Sequence, residues 1–478
     1  MFKKENLNLT QKVAYNAAFS STSRLLEMVI AFLIIKLNAG YLNVSGFGDY
    51  GTILAFVYIF SVLADFGLYS ITVRDISSAD ADEAKIINNA FTMRLILGLV
   101  IFTSAYFASF LFPYSNDVKL GVLIASFGYW LMSCTQVLMG LFQKHLIMDK
   151  VSVASLSARM AQLLAVFLCV RYDLGFLWIV GTICVGAFFD FFIVLFFARK
   201  LIRIRLDFDF VFWKDMLRRA FPLAVSAILV LIYFKLDTIF LSVMKGSEAV
   251  GIYSLAYRIM ESLTCFASIV VGLTMPLMSR AASDDIKKFK SISQRTLDFL
   301  LVAICAIIFG TFAISDKIIL TLSKSEFQDS SLVLQILVVA LGFIFLGALF
   351  SNMIIALKKQ KYLAYIYFIG AFFNIVANLV YIPEYSYFGA SGTTLATEFL
   401  VTVLMLWVIY KEIDFIPSFK RMAIGIFAGY LMLIALRWFD FLGLFSSVAL
   451  GGIVYMFFIY VMGGISKAEM EKLFQKKI

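Results

Sequence analysis

Charged side chains stand inside stretches of this chain that are otherwise Leu, Ile, Val, Phe and Ala. The cations are Arg24, Arg159, Lys235 and Arg258; the acids are Glu27, Asp65, Asp190, Asp237, Glu261, Asp298 and Glu398. An arginine grips phosphate or carboxylate through parallel N–H bonds and a lysine acts as a point charge. Cations at membrane depth are therefore the chemistry of an anion path. Acids in apolar surroundings suit a proton or sodium site, because burial disfavours the ionised form. Each such charge costs about 2.5 to 3.5 kcal/mol on insertion scales and usually faces a cavity or a partner.

Spacing sorts these charges. Arg24 with Glu27 and Arg258 with Glu261 are three apart, so each pair shares a helix face and balances locally. In LVLIYFKLDTIFLSVM, Lys235 and Asp237 are two apart, a rotation of about 200°, and point to nearly opposite sides. Lys235 is expected toward a polar path and Asp237 in a seam with a neighbouring helix. Plainer readings stand beside these. Arg24 and Arg159 near a membrane face can snorkel to headgroups; Asp65, Asp190, Asp298 and Glu398 can join helices by hydrogen bonds, as can Asn374 and Asn378.

Such residues need long apolar elements to hold them. The 478 residues are 62% hydrophobic and 15% charged, with 51 Phe and a mean hydropathy of +0.93, which excludes an ordinary soluble surface. Periodicity is helical and lacks the alternation of an outer-membrane barrel. The expected fold is an all-α polytopic bundle of about 14 transmembrane helices, on apolar stretches running from 13–36 to 441–464. Lys and Arg crowd the side of the N-terminus, while the other side holds Lys119, Arg171, Lys245, Lys317, Lys324 and Arg437. By the positive-inside rule both termini are expected in the cytoplasm. The net charge of +10 is then a topology signal and not a nucleic-acid footprint. The first apolar stretch carries Arg24 and Glu27 and has no small-residue cleavage site, so it is read as a retained helix. Cys134, Cys169, Cys184, Cys265 and Cys305 form no C-x-x-C pair and are read as small core residues, so no metal or cofactor is expected. His145, the one histidine, is expected solvated.

The basic segment RKLIRIRLDFDFVFWKDMLRR divides the helices into two sets. Residues 1–198 are expected to form an N-terminal lobe of helices one to six, 199–218 a basic cytoplasmic linker, and 219–410 a C-terminal lobe of helices seven to twelve. Helices thirteen and fourteen occupy 411–465, and 466–478 form a tail with Ser466 and Glu469 at capping-box spacing. In the linker, Phe208, Phe210, Phe212 and Trp213 alternate with charge, as suits the headgroup region. Asp207 and Asp209 make a D-x-D pattern with no soluble glycosyltransferase domain around it. The halves echo each other: GFGDYGTI around Gly48 and Tyr50 corresponds to AVGIYSLA around Gly251 and Tyr253, and the segment ending near Thr182 to that ending near Thr393. Two repeats plus two helices make a transporter plan with cargo between lobes.

The runs GFGDYGTILAFVYIFSVLADFGLYSITVRDI, KLDTIFLSVMKGSEAVGIYSLAYRIMESL and FFNIVANLVYIPEYSYFGASGTTLATEFL resemble the polysaccharide-export branch of the multidrug/oligosaccharidyl-lipid/polysaccharide superfamily, most closely the O-antigen flippases called Wzx. The resemblance covers nearly the whole chain. It implies a two-lobed MATE-like fold in the bacterial inner membrane that moves a polyprenyl-diphosphate-linked oligosaccharide to the periplasmic leaflet. Implied partners are membrane lipids, a polysaccharide polymerase and a chain-length regulator. It also implies an acid at Asp237 and the N-x-x-x-N pattern of Asn374 and Asn378. The chain lacks G-x-x-x-x-G-K-[ST], so a self-contained ATP pump is excluded. The rival readings are a MATE-type drug or cation antiporter, which would favour an acidic lumen, and a membrane polymerase or ligase, which would need a larger outer loop than this chain offers.

Overall fold

In hydrocarbon a backbone must satisfy its own N–H and C=O groups, and a single chain segment does so only as a helix. The computed structural model, which describes residues 9–78 and 80–463, is helical accordingly, with no strand among the described residues. The tail and its capping box lie outside the described residues. In chain order the helices are α1 (Leu9–Tyr41), α2 (Val44–Asp65), α3 (Leu68–Ile76), α4 (Glu83–Ser109), α5 (Asn116–Lys144), α6 (Met148–Arg171), α7 (Phe176–Ala198), α8 (Phe210–Met244), α9 (Ser247–Asp284), α10 (Ile286–Leu322), α11 (Ser330–Ala356), α12 (Gln360–Ile413), α13 (Lys420–Trp438) and α14 (Leu444–Val461). The expected apolar stretches fall on these helices, with that at 49–73 running across the break between α2 and α3. Among the described residues, 11 helices are long and apolar enough to cross a membrane, with α2 and α3 taken together and α12 taken as one. The chain is a multi-pass integral membrane protein.

Interruptions shape these rods, among them a kink inside α10 at Ile314 (φ −129°, ψ 16°). Phe66 and Gly67 take positive φ values of 45° and 73°, which end α2 and start α3. Inside α12, Ser386 has φ 51° and ψ −130°, three residues after Pro383, whose missing N–H weakens the helix there. The two halves of α12 then lie antiparallel. Gly370 faces Val401, Asn374 faces Thr397 and Asn378 faces Thr393, one turn at a time in opposite directions.

Contacts gather the chain into two units, Met1–Ser254 and Leu255–Ile478, with the division inside α9. In the first unit α5 packs on α2, α4 and α7, α6 lies against α1 and α7, and α8 packs on α2, α3 and α4. By its contacts α8 falls in the first unit. In the second unit α11 packs on α10 and α12, and α10 on α13 and α14.

The linker ahead of α8 is strapped along α4. Asn88 donates to the Arg203 carbonyl at 3.2 Å and accepts from the Arg205 N–H at 3.1 Å. The Asp207 N–H reaches Thr92 at 3.0 Å, and Asn89 accepts from the Asp209 N–H and from the buried Trp213 indole. The D-x-D acids are structural. Asp209 caps α8 through the Phe212 N–H and pairs with Lys85 at 3.1 Å, which holds its carboxyl below the usual range. Asp207 pairs with Arg205 at 3.2 Å.

The starts of α2 and α9 meet where the sequence echoes itself. A Cβ on Gly48 would stand 1.7 Å from the Ser247 carbonyl oxygen, and one on Gly251 would stand 2.1 Å from that of Val44. The contact is reciprocal, since Val44 precedes Gly48 by four residues as Ser247 precedes Gly251. The Ser247 hydroxyl adds a bond to Asp49 across it. Here two backbones touch, and neither can yield. Gly251→Ala is expected to cost about 1 to 3 kcal/mol, read as a fall of several degrees in the unfolding temperature of the detergent-purified protein. Gly452→Ala, with nothing within 4 Å of its Cβ, is expected to change stability by less than about 1 kcal/mol.

Candidate functional site

In the first unit, helices α1, α6 and α7 bring four of the expected site residues together. Glu27 of α1 is within electrostatic range of Arg24, one turn before it, and of Arg159 on α6. Asp190 of α7 is within range of both Glu27 and Arg159. Arg24 and Arg159 are exposed, and the two acids are half-buried behind them. Sequence reasoning missed a fifth member, Gln162, whose amide oxygen accepts from Arg159 at 3.1 Å and aims the guanidinium. Gly186 makes room for it: a Cβ there would lie 3.3 Å from that of Gln162. Oδ1 of Asp190 is buried without a hydrogen-bond partner. The group is thus two cations and two acids from three helices, balanced in formal charge, with its arginines outermost. Such an arrangement can exchange carboxylate partners for phosphate oxygens, the better bidentate acceptors being decided by what arrives.

Asp65 has a different setting. It forms an ion pair with Arg94 of α4, a side chain with no exposed surface, and accepts from the Tyr69 N–H at 3.4 Å. Arg94 also donates to the Ala64 carbonyl, one of the groups the α2 break leaves without a helical partner. This pair pins a helix break.

Lys235 and Asp237 diverge, as their spacing demands. Asp237 is 1% exposed and accepts from the Tyr253 hydroxyl of α9 at 3.2 Å. The Lys235 ammonium is half-buried, 5.4 Å from the centre of the Tyr58 ring on α2, a cation–π distance.

In the second unit Arg258 is half-buried and Glu261 exposed, one turn apart on α9. Asp298 of α10 lies 3.5 Å from the Arg421 guanidinium of α13 and accepts from Gln294 at 2.8 Å. Gln294 also clamps Ser418 through both its amide N–H and its carbonyl. Glu398 is buried in the α12 hairpin within electrostatic range of Tyr367. Asn374 and Asn378 bond to each other at 3.0 Å and to Thr397 and Thr393 across the hairpin. Elsewhere in this unit α10, α13 and α14 line a cavity of about 860 Å³, apolar along Phe299, Met432 and Tyr455. Its polar lining, Arg295, Asp298 and Arg421, lies toward the N-terminal ends of α10 and α13. No group of three or more His, Cys, Asp and Glu with metal-holding geometry occurs among the described residues. The cysteines are free, and buried or half-buried. His145 is not simply solvated, since Glu83 binds it at 2.9 Å and also pairs with Lys144.

Residues 13–282 match the model of a family described as polysaccharide biosynthesis protein, and residues 222–380 that of a family described as MatE. The capsular polysaccharide biosynthesis protein CapF of Staphylococcus aureus is 22% identical over 66% of this chain and 81% of its own length. Among solved structures, the lipid II flippase MurJ in an inward closed conformation aligns with a TM-score of 0.74 at 15% identity, over 93% of this chain and 98% of that one. An inward-facing MATE family multidrug resistance transporter of the MOP superfamily aligns at 0.63 and 14%, over 87% and 99%. These likenesses are of fold.

The Arg94 pair is separable by mutation from the α1, α6 and α7 group. Arg94→Leu alone strands Asp65 and is expected to cost about 3 kcal/mol, while Arg94→Leu with Asp65→Leu recovers most of that. Thermal unfolding of the purified variants reads both values. A single variant as stable as the parent would show that the pair carries no stability.

Proposed function

The chain belongs to the polysaccharide biosynthesis protein family, and from that premise we propose that it is a flippase for a polyprenyl-diphosphate-linked oligosaccharide. The cargo, an O-antigen or similar repeat unit, moves from the cytoplasmic to the periplasmic leaflet of a bacterial inner membrane by alternating access. The observation that carries this reading is the convergence of Arg24 and Arg159 with Glu27 and Asp190 on one accessible face of the first unit. A diphosphate brings at least two negative charges and many acceptor oxygens. In this reading the two acids balance the charge of the arginines without cargo, and phosphate oxygens bond the guanidiniums when it arrives. Gln162 keeps Arg159 in a bidentate-ready orientation.

Asp190 couples this exchange to an ion in the same reading. A proton on Asp190 removes one claim on Arg159 and leaves the group one charge more positive, which favours the diphosphate; loss of the proton favours release. Lys235 in the first unit and Arg258 in the second are further cations suited to the diphosphate in this reading, with Asp237, Glu261, Asp298 and Glu398 as charge-balancing or ion-coupling groups. The apolar cavity of the second unit supports a lipid-linked cargo, since it offers an isoprenoid chain a dry wall with basic residues at one end. The polymerase and chain-length regulator act after translocation. A drug or cation antiporter is the second reading, favoured by the buried acid Glu398, and drug-resistance profiling separates the two.

The experiment begins with cells lacking the protein, in which full-length lipid-linked repeat units are expected to be inaccessible to a membrane-impermeant glycan-cleaving enzyme added from the periplasmic side. Arg24→Glu with Arg159→Glu is expected to reproduce that accumulation at normal protein level, with export reduced by at least about 100-fold, the loss of two charge-assisted contacts. Asp190→Asn is expected to make export indifferent to dissipation of the proton gradient. Normal export in the double variant, or unpolymerised units already accessible outside, overturns the reading.

A further inference from the structure

We propose that residues 199–204 of the linker form a binding site for the phosphate of an anionic membrane lipid. Arg199, Lys200 and Arg203 are exposed and have no acidic partner among the described residues. Their neighbours differ. Arg205 is paired with Asp207 at 3.2 Å, Lys85 with Asp209 at 3.1 Å, and Arg219 with Asp75 at 2.6 Å and Asp215 at 2.8 Å. The segment thus carries three cations with no acidic partner, on the side that the Lys and Arg distribution marks as cytoplasmic.

The three cations line, with Leu201, Ile202 and Ile204, a concavity of about 470 Å³ made by one continuous segment. Its shape is set from both sides. The Leu201 and Ile202 N–H groups bond the Ala198 carbonyl at 3.0 and 3.1 Å, extending the end of α7. Asn88 fixes the Arg203 carbonyl and the Arg205 N–H. Ile202 and Ile204 pack inward on the core of the first unit, while the three cations stay exposed and the Lys200 ammonium lies 4.4 Å from the centre of the Phe196 ring. A bound phosphate then orders little that is not already ordered, and the entropy cost of capture is small.

The occupant is a lipid because the concavity adjoins an apolar wedge. Leu206 and Phe208 are each 57% exposed, Phe210 69% and Val211 82%. Large apolar side chains presented beside unpaired cations are the signature of a segment seated at the boundary of headgroups and acyl chains. Each cation near an anionic leaflet contributes about 1 kcal/mol. A soluble phosphate would use the cations and leave the wedge in water. The inference is independent of the cargo.

The test uses the full-length protein in detergent micelles with equal amounts of phosphatidylglycerol and phosphatidylcholine, and counts retained lipids by native mass spectrometry. The parent is expected to retain phosphatidylglycerol at least about tenfold over phosphatidylcholine. Arg199→Gln with Lys200→Gln and Arg203→Gln is expected to bring the ratio close to parity. Lys287→Gln with Lys288→Gln and Lys420→Gln, removing three exposed cations elsewhere, is expected to leave it unchanged. Arg203→Gln alone is expected to give an intermediate ratio, a readout that stands even should the triple variant not fold. Phe208→Ser with Phe210→Ser is expected to weaken retention without inverting the preference. Undiminished preference in the triple or the Arg203 variant overturns the proposal. So does displacement of the lipid by millimolar inorganic phosphate, which would make this a soluble-phosphate site.

Discussion

An ionised group taken out of water loses far more solvation than any single packing contact returns, and that penalty orders the polar interior of this protein. Its helices are apolar over most of their surface, and several of the charges within them are matched by a charge of opposite sign. The matches come in two grades. Arg94 and Asp65 form a tight pair at a helix break, with a backbone carbonyl as third member and no exposed surface on the arginine. Arg24, Glu27, Arg159 and Asp190 share their balance over three helices, with the cations outermost. The first grade locks a conformation. The second leaves its two arginines exposed while the acids stay half-buried.

The α12 hairpin meets the same demand without charge. Asn374, Asn378, Thr393 and Thr397 are all buried, and each finds its partner across or along the hairpin. Small residues let the halves approach, Gly370 against Val401 and Gly389 against the Tyr381 carbonyl. Between membrane helices, where lipid is as apolar as leucine, close packing and interhelical hydrogen bonds replace hydrophobic driving force.

Helix positions are legible in the sequence because a bilayer rewards long apolar runs, and the expected runs lie on helices. The breaks are harder to read. Pro383 announces the turn at Ser386, whereas Phe66 takes a left-handed conformation that no local residue type announces. Single charges are legible against an apolar background, but their convergence is not: Arg24, Arg159 and Asp190 lie on three different helices, and only tertiary packing makes them neighbours. Arg94 escapes notice because it stands near the start of its apolar run, where a cation reads as a headgroup contact. The signal available was Asp65, an acid in an apolar run that calls for a partner. Gln162 and Asn88 escape for a simpler reason, being neutral polar residues with no charge to flag them. The division of lobes follows the linker in sequence, while contacts place α8 with the helices before it, because the strap along α4 delivers it there.

The reciprocal contact at Gly48 and Gly251 carries a consequence for how such a chain arises. A patch in which one residue meets the counterpart of its own neighbour, and the counterpart returns the contact, is the geometry of two identical subunits about a twofold axis. A half-length ancestor pairing with itself would have needed one glycine to serve both sides, and any mutation there would have struck twice. Fusion into one gene frees the sides to diverge. The flanks record that freedom: Asp49 accepts from the Ser247 hydroxyl, whereas the other half has the apolar Ile252 in Asp49's place. At the two glycines, where backbone meets backbone, that freedom is denied, since any side chain there would meet a carbonyl of the other segment.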